Sequence, residues 1–303
     1  MENIRLALDW TPNTNHTGFF YGMKKGFYSE MDINLVILSP NSDNYQRTPA
    51  KKVEMGDADV AIAPIESVIS YRTKANPVKM RAVAALLRED LSALCVKKGV
   101  NRPAELDGKL YGSYKARYED GIIRELIKND GGQGEIGVTY PPKLSIWQEF
   151  LDDKIDFTWI FKNWESLDQG SNQDGLNYFN LRDYGIPYGY SPILMCTEEA
   201  MESKREALRN FLQATKKGFL ESAKNPVEAA NTLQSYLPPA DMERMDVLSA
   251  QKYVSQFYGD ETNWGVMEPE KVSDFLNWLK KRGLERTNVA AEELYTNSLI
   301  LPF

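Results

Sequence analysis

Short apolar runs alternate with helix-periodic segments from the start of the chain. Ile4 to Leu8 is the first such run, and it breaks into the polar, aromatic-bearing stretch Asp9-Trp10-Thr11-Pro12-Asn13-Thr14-Asn15. An amphipathic helix is expected from roughly His16 to Ser29, and Ile33 to Leu38 reads as a second strand. Asn44 to Met55 has a helical period and ends at Gly56, a good C-cap. Asp59 to Ala63 is a buried strand. It is followed by Pro64, which suits a first helical position, with Glu66 in the first turn where the helix dipole favours an acid. Met80 to Leu87 and Leu91 to Val96 complete a βαβαβ order with short connections, which predicts a parallel sheet covered by helices.

A second unit of the same kind begins near Arg102. Leu110 to Ser113, Ile136 to Tyr140 and Ile155 to Phe161 read as strands, with helices over Tyr118 to Asn129 and Ser145 to Leu151. The junction Lys162-Asn163-Trp164-Glu165 leads into a short helix. Tyr178 to Leu181 is strand-like, an aromatic, glycine-rich loop runs from Asp183 to Tyr190, and Ser191 to Cys196 returns as a strand. Beyond Glu198 the pattern is helical only: Ser203 to Ala223, Pro226 to Tyr236, Met242 to Tyr258 and Glu268 to Arg282. The apolar end, Leu299 to Phe303, is expected to pack down. There are no repeats and no flexible linker. The expected organisation is therefore two α/β lobes joined by two crossover strands, Leu91 to Val96 and Ser191 to Cys196. Residues 1–94 plus 197–303 form one lobe and 95–196 the other, with a ligand cleft between them.

Composition narrows the partner. The 303 residues carry a net charge of -7, which speaks against nucleic acid, because counterion-release binding needs a basic face. No stretch approaches about 18 uninterrupted apolar residues, so no transmembrane helix is expected. Met1-Glu2-Asn3 leads directly into a strand without the basic and apolar regions of a secretory leader. The chain as given is thus either cytoplasmic or extracytoplasmic with its leader removed. Cys95 and Cys196 lie in apolar strands and read as buried free thiols. With a single histidine they form no closed zinc site, so no metal is expected; no cofactor is expected either.

Catalytic signals are weak: no nucleophile elbow, phosphate-binding loop, HExxH or GxGxxG pattern is present. Binding signals are better. Ligands of open α/β sheets sit beyond the carboxyl ends of strands, where Asp9, Trp10, Asn13 and His16 fall. The plain alternative is a βα turn with Asn and Thr as caps. Further along, Tyr114, Trp159, Phe161, Trp164, Tyr188 and Tyr190 recur at strand ends or in the aromatic loop, with Glu66, Ser113 and Glu165 nearby. Aromatic walls with carboxylates suit a planar heterocycle bearing amino groups: rings stack and carboxylates accept N–H bonds.

The stretch Leu8-Asp9-Trp10-Thr11-Pro12-Asn13-Thr14-Asn15-His16-Thr17-Gly18 closely resembles the opening motif of the thiamin-pyrimidine family of periplasmic-binding-protein-like proteins. These are bacterial formylaminopyrimidine-binding importer proteins and fungal thiamin pyrimidine synthases. The resemblance continues through Gly26-Phe27-Tyr28, Gly56 to Ala63, Asp156 to Glu165 and Tyr190 to Leu194. It implies an α/β, type II periplasmic-binding-protein-like fold closing on its ligand, with the pyrimidine held in the importer branch by residues matching Trp10, Glu165 and an aromatic near Tyr188. In the synthase branch a lysine holds pyridoxal phosphate and a histidine is consumed; here those positions are Ala63 and Ser67. The synthase's cysteine-rich stretch corresponds to Gly185 to Tyr190, which has no cysteine. The family's glycine-rich phosphate loop is altered to Gly112-Ser113-Tyr114-Lys115-Ala116-Arg117-Tyr118, where Lys115 and Arg117 could still meet an anion.

The expected protein is a monomeric solute-binding protein for a thiamin-precursor pyrimidine, closer to the binding-protein branch. Asp9 and Glu165 would accept ligand N–H groups, Trp10 and Tyr188 would stack, and a membrane permease would be the partner if the chain is extracytoplasmic. The alternatives are an intracellular enzyme of thiamin pyrimidine biosynthesis on the same fold, or a sensor for an alkanesulfonate or nitrate; Trp10 and the acidic residues speak against an anion alone.

Overall fold

The computed structural model describes residues 1–301. It divides into two compact units: unit 1 comprises Met1–Asp90, Gly189–Ser273 and Thr287–Phe303, and unit 2 comprises Leu91–Tyr188 and Asp274–Arg286.

Unit 1 is built on β1 (Glu2–Ala7), β2 (Ile33–Leu38), β3 (Val60–Ala63), β4 (Met80–Ala85) and β10 (Ile193–Thr197), in the order β2-β1-β3-β10-β4. Unit 2 has β5 (Ser92–Lys97), β6 (Leu110–Gly112), β7 (Gly137–Thr139), β8 (Phe157–Phe161) and β9 (Leu176–Asn180), in the order β7-β6-β8-β5-β9. The all-parallel expectation needs correction. Four strands of each sheet run the same way, but β10 lies antiparallel between β3 and β4, and β5 antiparallel between β8 and β9. The reversed strands are fully apolar at their centres, because a strand covered on both faces shows no alternation. Such a run looks the same in either direction.

Local chemistry sets the helix boundaries. The expected helix from His16 to Ser29 is two pieces, Thr17–Lys24 and Phe27–Glu30, divided where Gly26 takes a left-handed φ of 76°. The expected helix from Asn44 starts only at Pro49: Thr48 accepts the Lys51 N–H at 3.2 Å and Pro49 takes the first helical position. The amphipathic helix Arg205–Lys224 buries Leu208, Phe211, Leu212, Thr215 and Phe219, as its period requires. It packs on Thr17–Lys24 at a close approach. A Cβ on Gly218 would stand 2.2 Å from the Gly18 carbonyl oxygen, and one on Gly18 would stand 2.0 Å from the Phe219 ring. Leu299 is buried and Leu301 exposed, while Pro302 and Phe303 of the apolar end lie outside the described residues. Among the described residues no helix is long and apolar enough to cross a membrane.

Candidate functional site

The strand orders place each candidate group. In β2-β1-β3 and in β7-β6-β8 the chain connections leave in opposite directions from adjacent parallel strands. In open sheets the crevice at such a reversal receives the ligand. Asp9 and Trp10 follow β1, Glu66 follows β3, Ser113 and Tyr114 follow β6, and Trp164 and Glu165 follow β8.

In unit 1 the group after β1 is held from below. His16 is fully buried. Its Nδ1 accepts the Asn13 N–H at 3.2 Å, which assigns the proton to Nε2, and Nε2 lies 2.7 Å from Asp9 Oδ1. Asn13 caps the turn Thr14–His16 by accepting the Asn15 N–H at 2.9 Å, and its amide donates to the Thr11 carbonyl at 3.1 Å. Asn13 and His16 therefore spend polar atoms on the loop and support Asp9. Trp10 is half-buried, and its ring lies 5.8 Å from that of Tyr45 at 55°. The Tyr45 hydroxyl donates to the Asp9 carbonyl at 2.5 Å. Asn44 and Tyr45 both take left-handed φ, a strained conformation for residues with side chains. Tyr45 was not among the sequence candidates. The signal that could have exposed it was the Thr48-Pro49 helix start, which leaves Tyr45 in the preceding loop. Glu66 is buried in the first turn of the helix Ile65–Thr73. Tyr190 is buried: its hydroxyl accepts the Glu268 N–H and its carbonyl the Ile65 N–H, each at 2.9 Å.

In unit 2 the aromatic candidates meet in part. Trp159 packs edge-on against half-buried Tyr188 at 5.1 Å, and Tyr188 against Phe275 at 5.0 Å. Phe161 ends β8 half-buried, and Trp164 is buried in the turn beyond it. Glu165 Oε2 accepts the Phe161 N–H at 2.9 Å, folding that turn back on the strand. Asp168, fully buried and also missed from sequence, accepts from the Trp147 indole at 2.7 Å and from the Gly170 N–H at 2.8 Å. Gln173 donates to the Glu165 carbonyl at 3.2 Å, so the segment carrying Glu165 is tied at several points.

The loop after β6 is bound to itself. Buried Ser113 donates to Asp120 at 2.7 Å and accepts the Lys115 N–H at 3.0 Å. Tyr114 packs partly buried against the core of Ala93, Ile146, Phe150 and Ile160. Burial pushes the Glu119 carboxyl up, opposed by bonds from the Ala116 N–H, the Tyr111 hydroxyl and the Tyr114 N–H. Burial also pushes the neighbouring Lys143 amine down while the charge of Glu119 pulls it up.

Neither thiol is a nucleophile candidate. Both cysteines are free and buried; burial pushes Cys196 up to about 12 and Cys95 well above its usual range, with Glu165 adding to the latter. Among the described residues no group of three or more His, Cys, Asp or Glu side chains is placed to hold a metal ion.

Comparison with known proteins gives this arrangement its context. A family model described as NMT1/THI5 like matches residues 13–229. The formylaminopyrimidine-binding protein of Halalkalibacterium halodurans is 24% identical over 306 residues, covering 98% of this chain and 90% of that protein. The 4-amino-5-hydroxymethyl-2-methylpyrimidine phosphate synthase of Legionella pneumophila is 26% identical over 237 residues, covering 77% of this chain and 73% of that protein. Among solved structures, the Candida albicans CA3427 gene product, which has the generic periplasmic binding protein fold, matches with a TM-score of 0.73 at 13% identity, covering 98% of this chain and 97% of that one. The fold is the type II periplasmic-binding-protein fold. Because the family model spans well over half of a chain with this fold, the protein belongs to the NMT1/THI5-like family.

Proposed function

We propose that the chain is a solute-binding protein that captures a small planar nitrogen heterocycle, a thiamin-precursor pyrimidine, without a covalent step. The observation that carries this reading is the group after β1: a half-buried Trp10 ring beside Tyr45 and next to a carboxylate oriented by a buried imidazole. Such a pair offers a stacking face together with an acceptor for exocyclic amino N–H. Glu165 and Tyr188 supply the same two chemistries in unit 2. The naming of the Halalkalibacterium relative for formylaminopyrimidine binding supports the ligand class. A membrane permease is the partner this role implies.

The synthase named for the Legionella relative makes catalysis the competing reading. Against it stand Ala63 and Ser67, where the synthase branch carries its lysine and histidine. Ala63 ends β3 buried and Ser67 lies in the helix beyond, so this junction holds neither an amine for a Schiff base nor an imidazole to donate atoms.

Calorimetric titration with formylaminopyrimidine and with 4-amino-5-hydroxymethyl-2-methylpyrimidine tests the reading; absence of heat with both sinks it. Trp10→Ala is expected to abolish binding with the melting temperature near wild type, whereas a large loss of stability would make Trp10 a packing residue. Pyridoxal phosphate is expected to give no Schiff-base absorbance, and a saturable band would restore the enzyme.

A further inference from the structure

Backbone N–H groups at the start of a helix that follows a parallel strand form a ready anion cradle. In unit 2 that place is the loop Gly112 to Tyr118, leading into the helix Glu119–Asn129. The cradle is already filled by the chain itself. The Glu119 carboxylate, 4% exposed, accepts the Tyr114 N–H at 2.9 Å, the Ala116 N–H at 3.0 Å and the Tyr111 hydroxyl at 2.7 Å. The intervening Lys115 N–H goes to Ser113 Oγ, so three successive amides end on side-chain oxygens. Asp120 adds a second acid, receiving the Ser113 and Tyr140 hydroxyls, each at 2.7 Å. The two cations of the loop are also engaged. Arg117 pairs with buried Glu285 at 3.1 Å, and Lys115 Nζ sits 5.4 Å from the centre of the Tyr140 ring.

We propose that Glu119 is a built-in anion that closes this cradle and makes the protein select the uncharged pyrimidine over its phosphate ester. A phosphate arriving here would find the amides spent and two carboxylates facing it, and like charges in a partly buried site reject a ligand strongly. The choice of pyrimidine rests on the function proposed above; the occupied cradle does not.

The experiment titrates wild type, Glu119→Ala and Glu119→Gln by calorimetry with inorganic phosphate, with 4-amino-5-hydroxymethyl-2-methylpyrimidine and with its phosphate ester. Wild type is expected to ignore millimolar phosphate and to bind the alcohol about 100-fold more tightly than the ester. Glu119→Ala is expected to gain phosphate binding and to narrow the alcohol-to-ester ratio about tenfold, with Glu119→Gln narrowing it less. Equal affinity of wild type for alcohol and ester, or phosphate binding by wild type that perturbs the amide resonances of Tyr114 and Ala116, overturns the proposal. So does a folded Glu119→Ala that remains blind to phosphate. If neither pyrimidine gives heat, the solute assignment falls, while the phosphate comparison between wild type and Glu119→Ala still decides the role of Glu119.

Discussion

His16 and Asp59 are two buried polar residues whose neighbours determine what they do. Removing the imidazole by His16→Ala would leave the Asn13 N–H and Asp9 Oδ1 without the partner each now has. The expected loss is about 3 kcal/mol of stability, read by urea unfolding, together with weaker pyrimidine binding as Asp9 loses its orientation. Asp59 is held differently. Burial works against its charge, but bonds from the Arg5 side chain and backbone and from Lys204 outweigh burial and hold its carboxyl at about 2. Its folded pKa lies below its unfolded value, so its contribution is complete above about pH 4 and is lost as pH falls through 2. That contribution is about 2 kcal/mol. Asp59→Asn is expected to lower stability by this amount at neutral pH and to flatten the acid limb of the stability curve; an unchanged acid limb would refute it. The places of Asp9, Trp10 and Glu165 just beyond their strands were legible in sequence because the strand-end rule is local. Tyr45 was not, because its hydroxyl reaches Asp9 across 36 residues from a strained loop that carries no periodicity.

Between elements, what decides packing is how closely two backbones approach. The helices Thr17–Lys24 and Arg205–Lys224 meet where Gly18 faces Gly218. A methyl on Gly218 would press on a carbonyl oxygen, which cannot swing away as a flexible side chain can. Gly218→Ala is therefore expected to cost about 2–3 kcal/mol through forced separation of the helices, measured as a lower urea midpoint with an unchanged slope. A midpoint within error of wild type would show that the helices move apart freely. Gly18 lies within the region that the family model matches, and this close approach is a packing reason for glycine there. The long helices were readable from their period alone. The antiparallel setting of β5 and β10 was not, since ladder direction depends on where the chain enters the sheet and leaves no trace in an apolar run.

At the scale of the whole chain, neither unit is contiguous, and this sets how the molecule can be divided. Unit 2 takes Asp274–Arg286 from near the far end of the sequence. That segment brings Phe275 against Tyr188, Leu284 over Gly121, Arg282 to Glu125 at 3.1 Å, and buried Glu285 to the Tyr118 hydroxyl at 2.5 Å. Helical period predicted a helix there but held no information on which core it joins, so the sequence reading placed it with the other helices in the first lobe. A fragment of residues 91–188 would keep all five strands of its sheet yet expose the apolar faces of Tyr188 and Gly121 and leave Tyr118 and Arg117 without Glu285. It is expected to behave as a loosely packed state, with native-like far-ultraviolet dichroism, bound hydrophobic dye and poor amide dispersion. Joining residues 274–286 to that fragment through a flexible linker should restore dispersion and cooperative melting, because the missing contacts then return at high effective concentration. Sharp, dispersed amide spectra from 91–188 alone would show that the returning segment only decorates a core complete without it.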